Sequence, residues 1–221
     1  MPAPLQHTAA RVCVIVDSRY GSTLALARAV AEGARSEGAE LRLRRVASGK
    51  PEFSIDTGRE QYRDTQEGLA VLSMADMDDL RWADGIVWGS PTRYGLMSTP
   101  LRAFVDQIAP LWREGALIGK VGAAFTSSGG MHSGNELTLL TTLLPFFQHG
   151  MLIVGVPHSV PALVRTQSGG SPYGASAVTG FQGDRAVDED SLEIARALGA
   201  RVARVAAQVQ PEPAPVAWGK T

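Results

Sequence analysis

The chain has a single cysteine, Cys13, so no internal disulfide can form. Cys13 lies inside an apolar run, where a buried and inert thiol is expected. No apolar stretch approaches the roughly 18 residues of a membrane-spanning helix, and residues 1–10 hold no signal-type hydrophobic segment. Nor is there an excess of either charge: 21 basic and 22 acidic residues leave a net −1. That removes the electrostatic case for nucleic acid or an anionic membrane as a partner, and a soluble, cytoplasmic protein is expected. His7 and His158 have no partners at metal-ligand spacing, so no metal is expected. Two familiar nucleotide loops are missing as well. No Gly-x-Gly-x-x-Gly follows the first strand, which argues against a dinucleotide fold. Gly115 and Gly119-Lys120 are separated by three residues where a Walker A loop has four, and Lys120 leads into an apolar run; this reads as a surface turn.

What is present centres on Val12 to Gly38. Val12–Val16 is β-branched and apolar on both faces, the pattern of a central parallel strand. A helix from Leu24 to about Glu37 follows, with Leu26, Val30 and Ala34 on one stripe and Gly38 at its C-cap. The turn between them, Asp17 to Thr23, is short and rich in hydroxyls. A helix N-terminus carries unpaired N–H groups and a partial positive charge. With Ser18, Ser22 and Thr23 it can form a phosphate socket that needs no lysine; the plainer alternative is a serine-capped turn.

Further along, Glu40–Val46 alternates Leu41 and Leu43 against Arg42 and Arg44, as a half-exposed edge strand does. Residues 47–79 are long and polar, either an excursion near a site or partly helical. Residues 84–90 form a third strand and end in Gly89-Ser90-Pro91-Thr92-Arg93-Tyr94-Gly95. Ser98 or Thr99 caps the next helix, with Pro100 at its start. A fourth strand over residues 120–126 runs into a loop of small residues from Ser127 to Gly134. A helix from about Asn135 to His149, disturbed at Pro145, ends at Gly150. Met151–Val156 is a fifth strand, residues 157–187 are irregular, and a last helix covers about Asp188 to Val209. Five strands alternating with helices define an α/β doubly wound parallel sheet. In the order 2-1-3-4-5, the loops at 17–23, 90–95 and 127–134 share one rim at the switch between strands 1 and 3. Residues 1–10 are an expected flexible N-terminus, 11–209 the domain, and 210–221 a tail.

Ser18-x-Tyr20-Gly21-Ser22-Thr23, Ser90-Pro91-Thr92-Arg93-Tyr94-Gly95, Thr126-Ser127-Ser128, His149-Gly150-Met151 and Gly170-Ser171-Pro172-Tyr173-Gly174-Ala175 resemble, in order and spacing, the WrbA-type flavoproteins. The resemblance covers about residues 11–207. It implies a flavodoxin-like fold, FMN as cofactor, NADH or NADPH as electron donor and a quinone as acceptor, in a homotetramer whose flavin sites lie at subunit contacts. It implies that Ser18, Arg19, Tyr20, Gly21, Ser22 and Thr23 hold the phosphate. Pro91, Thr92, Arg93, Tyr94 and Gly95 would line the flavin ring. Ser127, Ser128, Gly129, Gly130, Met131 and His132 would wrap its other edge, and His149 would reach it from a helix end. Tyr20, Tyr94 and Trp112 would contact substrate, with Arg93 and His149 as the catalytic pair. Departures from the family pattern at Ser133-Gly134-Asn135, Thr99-Pro100 and Ile108-Ala109-Pro110 fall around the acceptor pocket. Two electrons would pass from NAD(P)H to quinone by a ping-pong mechanism in one shared slot. An electron carrier, an FMN-binding regulatory module and a reductase for other acceptors are the alternatives.

Overall fold

The computed structural model describes residues 9–47 and 57–209. The expected loose N-terminus up to residue 8 and the tail from 210 lie outside them. The first half of the chain runs β1 (Arg11–Val16), α1 (Ser22–Ser36), β2 (Glu40–Arg45), α2 (Glu60–Ala70), α3 (Met77–Trp82), β3 (Gly85–Pro91) and α4 (Thr99–Gln107). It continues α5 (Ala109–Glu114), β4 (Val121–Ser128), α6 (Asn135–Gln148), β5 (Leu152–Ile153), α7 (Pro161–Arg165), β6 (Ala175–Val178) and α8 (Glu189–Gln208).

The strands are parallel in the order β2-β1-β3-β4-β5, the expected doubly wound, flavodoxin-like arrangement. Side chains of β1 alternate between two cores, as a period of two requires. Val12, Val14 and Val16 join Leu26, Val30, Leu198 and Val202 under α1 and α8. Cys13 and Ile15 join Trp88, Leu101, Leu111 and Phe146 under α4, α5 and α6. Trp88 and Phe146 pack with ring centroids 4.0 Å apart. Cys13 is fully buried and its thiol pKa is pushed above the ordinary value by that burial, so it is inert as expected. On the first face α1 and α8 approach closely: a Cβ on Gly199 would lie 1.9 Å from the Val30 carbonyl oxygen.

Three sequence expectations change. The fifth position of the sheet is shared by two segments. β5 is only Leu152–Ile153 and pairs with the start of β4, while Ala175–Val178 pairs with its end, Phe125 to Ser128. The stretch 157–187 is therefore not all irregular, since it contains α7 and β6. Second, Arg42 and Arg44 of the edge strand do not face open solvent. Both reach the buried Asp79 of α3, at 3.0 Å and 2.8 Å, and the Arg42 guanidinium lies 4.0 Å from the Trp82 ring centroid. Third, Lys120 is not part of a surface turn. It is 7% exposed, and its Nζ donates to the carbonyls of Leu80 at 2.9 Å and Arg81 at 2.6 Å, tying off the end of α3. Burial lowers its pKa to about 8.

Candidate functional site

The carboxyl ends of β1, β3, β4 and β6 open into one cleft of about 230 Å³. Its lining contains Ser18, Arg19, Tyr20, Ser22, Thr23, Pro91, Thr92, Arg93, Ser127, Ser128 and Gly129, so three of the loops expected on one rim do meet there. Gly21 sits at φ +96, a left-handed conformation that suits glycine, and turns the chain into α1 as its N-cap. No side chain caps this helix, so the serine-capped alternative does not hold and its first amides keep no side-chain acceptor. Two hydroxyl pairs cross the floor of the cleft. Thr23 Oγ1 and Ser127 Oγ lie 2.8 Å apart, and Ser22 Oγ donates to Thr179 Oγ1 at 3.1 Å. Ser18 is different: it is 1% exposed, lines the cleft, and its hydroxyl has no hydrogen-bond partner among the described residues. A buried hydroxyl without a partner is costly, and a ligand with acceptor oxygens removes that cost.

The second loop is a tight turn. The amide of Arg93 donates to Leu96 O at 2.8 Å, and the amide of Leu96 returns to Arg93 O at 2.9 Å. Tyr94 occupies its tip at φ +53, the one non-glycine residue with positive φ among the described residues, and its ring is fully exposed. Strain of this kind persists where the surroundings hold it and is frequent at binding sites. Tyr94 and Gly95 line an adjoining hollow with His132, Ser133 and Leu137, continuous with the main cleft through Thr92 and Gly129. Met131 is exposed at the same edge, and Ser128 Oγ braces that loop by donating to Gly130 O at 2.9 Å. Beneath the turn, Asp17 is 6% exposed and burial raises its pKa, against the Ser98 hydroxyl and the charges of Arg19 and Arg93, which favour the carboxylate.

His149 and Trp112 are not in this cleft. They share a separate groove with Met97, Val105, Ile108, Leu144 and Pro145. The His149 imidazole is held toward the neutral form by burial, and its Nδ1 has no partner. It is therefore not the cationic partner of a helix terminus that its position at the end of α6 would otherwise favour. Beside the groove, Leu137, Leu140, Leu144 and Phe147 form a second, outward apolar stripe on α6, together with Leu96 and Trp112.

Five lining residues had not been anticipated: Arg59, Thr179, Gly180, Phe181 and Gly183. The last four belong to the segment that follows β6. Phe181 lies against the glycine pair of the third loop, where a Cβ on Gly130 would be 2.7 Å from its ring.

A parallel sheet with hydroxyl loops and an uncapped helix N-terminus at its switch point is a flavodoxin-type nucleotide site. The NADPH-dependent FMN reductase family matches residues 10–161, and the chain belongs to that family. A relative from Sinorhizobium fredii named NAD(P)H dehydrogenase (quinone) is 41% identical over 203 residues, covering 90% of this chain and 98% of the relative. One from Archaeoglobus fulgidus with the same name is 44% identical, covering 89% and 97%. Among solved structures, a flavodoxin, WrbA-like protein from Agrobacterium tumefaciens superposes with a TM-score of 0.62 at 26% identity, covering 90% of this chain and 99% of that one.

Proposed function

We propose that this protein is an FMN-dependent NAD(P)H:quinone oxidoreductase whose donor and acceptor use one slot in turn, in an assembly where a neighbouring copy completes each site. The observation that carries the cofactor assignment is the buried, partnerless hydroxyl of Ser18, which lines the same cleft as the uncapped start of α1 and the Thr23–Ser127 pair. That donor set fits a terminal phosphate. Ser18, Ser22 and Thr23 would hold it, Pro91 to Gly95 would wall the ring on one side, and Ser127 to His132 would close the other. The flavin, when bound, supplies the two-electron chemistry. The protein orients it and sets its electrostatics. Arg93, whose Nη1 is anchored on the Thr92 carbonyl at 2.6 Å, contributes fixed positive charge beside the cleft.

Replacing Ser18 and Thr23 together by alanine is expected to weaken FMN binding by about 1–3 kcal/mol, the usual range for hydrogen bonds to a charged group. Titration of the apoprotein with FMN measures it, and an unchanged affinity removes the phosphate from this loop.

The slot is the hollow under Tyr94. A fully exposed aromatic side chain on a strained tip offers a flat face to a planar substrate. The sequence offers no dinucleotide fingerprint for a second nucleotide site, so nicotinamide and quinone are assigned the same place. The first product must then leave before the second substrate enters. Initial rates with both substrates varied are expected to give parallel double-reciprocal lines. Intersecting lines would require a ternary complex and two places.

A further inference from the structure

Arg59 is unexplained by the socket as described. It precedes α2 at the end of the connection after β2, far in sequence from the three loops expected on the rim, yet its side chain lines the same cleft. Nη1 donates to the Gln182 carbonyl at 2.7 Å and Nη2 to Gln182 Oε1 at 2.8 Å. The guanidinium carbon lies 5.5 Å from the centroid of the Tyr20 ring. One side chain thus joins three segments of the cleft wall: the turn after β1, the start of α2, and residues 179–183 after β6. The helix behind it is seated on that turn. Tyr62 meets Tyr20 edge-on with ring centroids 6.3 Å apart, and Thr65 Oγ1 lies 3.2 Å from where a Cβ on Gly21 would stand. Arg59 therefore has a fixed address and is not a loose surface cation. The same cleft is lined by the partnerless Ser18 hydroxyl and by Ser22 and Thr23 at the uncapped start of α1. Neutral donors alone distinguish a phosphate monoester from an alcohol only weakly. A rigid guanidinium beside them adds charge and a second directional donor pair.

We propose that Arg59 is a latch over the phosphate: it supplies the cation for the phosphate monoester of FMN and, through Gln182, clasps the turn after β1 to residues 179–183 so that bound cofactor leaves slowly. The proposal rests on the assignment of Ser18 to Thr23 as the phosphate socket. A brace with no ligand role is the competing explanation, and the two differ in what they do to riboflavin, which has the same ring and no phosphate.

The experiment titrates apoprotein with FMN and with riboflavin by flavin fluorescence, at low and high salt, and measures FMN release. Arg59→Gln is expected to weaken FMN about tenfold to a hundredfold, to change riboflavin by less than about twofold, and to flatten the salt dependence. Arg59→Lys restores part of the affinity but not the slow release, because an ammonium group cannot make the planar fork to Gln182. Gln182→Ala keeps the cation and is expected to speed release more than it lowers affinity. Equal losses for FMN and riboflavin in Arg59→Gln overturn the latch in favour of a brace, and so does an unchanged FMN affinity. If Ser18→Ala/Thr23→Ala weakens FMN while Arg59→Gln does not, the latch alone fails. If neither variant weakens it, the socket fails too.

Discussion

Asp79→Ala is expected to lower the stability of the fold by about 2–4 kcal/mol, a little under the full cost of stripping one partner from a buried ion pair. Asp79 is 2% exposed and meets two guanidinium groups, Arg44 at 2.8 Å and Arg42 at 3.0 Å. It also closes a capping box: its own amide donates to Asp76 at 2.8 Å, and its carboxylate accepts from the Asp76 amide at 3.3 Å. Alanine keeps its amide bond to Asp76 but removes both ion pairs and the acceptor of the Asp76 amide, and it leaves two cations against α3. The estimate is kept below the full range because the arginine side chains are 34% and 22% exposed and regain some hydration. Asp79→Asn keeps the side-chain acceptor and is expected to cost less. Urea unfolding followed by Trp fluorescence gives both values. A loss below about 0.5 kcal/mol in the alanine variant would show that the two arginines find equal partners in water.

The second large effect concerns completion of the site between subunits. Trp112 and His149 occupy a groove of their own, and an apolar stripe on α6 runs beside it. Tyr94 stands in solvent. In the proposed assembly a neighbour's groove closes over Tyr94, bringing the partner's indole and neutral imidazole to the slot. The Ser18→Ala/Thr23→Ala variant and the Trp112→Ala variant are each expected to lose about tenfold or more in kcat/KM. Co-refolded in equal amounts, they should recover about a quarter of the sites, because random closed assemblies pair an intact socket with an intact indole that often. Activity no greater than the average of the two parents would place both residues in one chain. Light scattering provides the companion measurement: a 23.4 kDa species with full activity would remove the shared site altogether.

The parts of the molecule readable in advance were those where one residue type has few alternatives. Val12–Val16 and Ile86-Val87-Trp88 are too apolar and branched to be anything but central strands, and both are buried along their length. Gly38, at φ +77, ends α1 as expected, and Gly150, at φ +69, follows the C-cap His149 of α6. β6 was invisible for a physical reason. Ala-Ser-Ala-Val has little β-branched character, it is buried by α8 and not by its own pattern, and glycines and a proline precede it. With β6 hidden, Thr179 to Phe181 could not be placed on the rim. Arg42 and Arg44 carry the alternation of a solvated face, and only the fold brings Asp79 beneath them. Arg59 sits in a polar stretch where a single cation carries no signal. The separation of Trp112 and His149 from the cleft was equally unreadable, because spacing along a chain does not say which groove a side chain will line.

The split fifth position bears on how the molecule is made. Phe125 pairs with Ala175, about fifty residues further along, so β6 is synthesised well after β1, β3 and β4. β6 is also packed under α8, which extends to Gln208. A nascent chain can therefore fold its first strands and display the turn at Ser18 while the wall at Thr179 to Gly183 is still missing. The turn at Ser18 is thus made early in synthesis and the wall at Thr179 to Gly183 late, so the cleft has all its sides only once the segment after β6 has emerged.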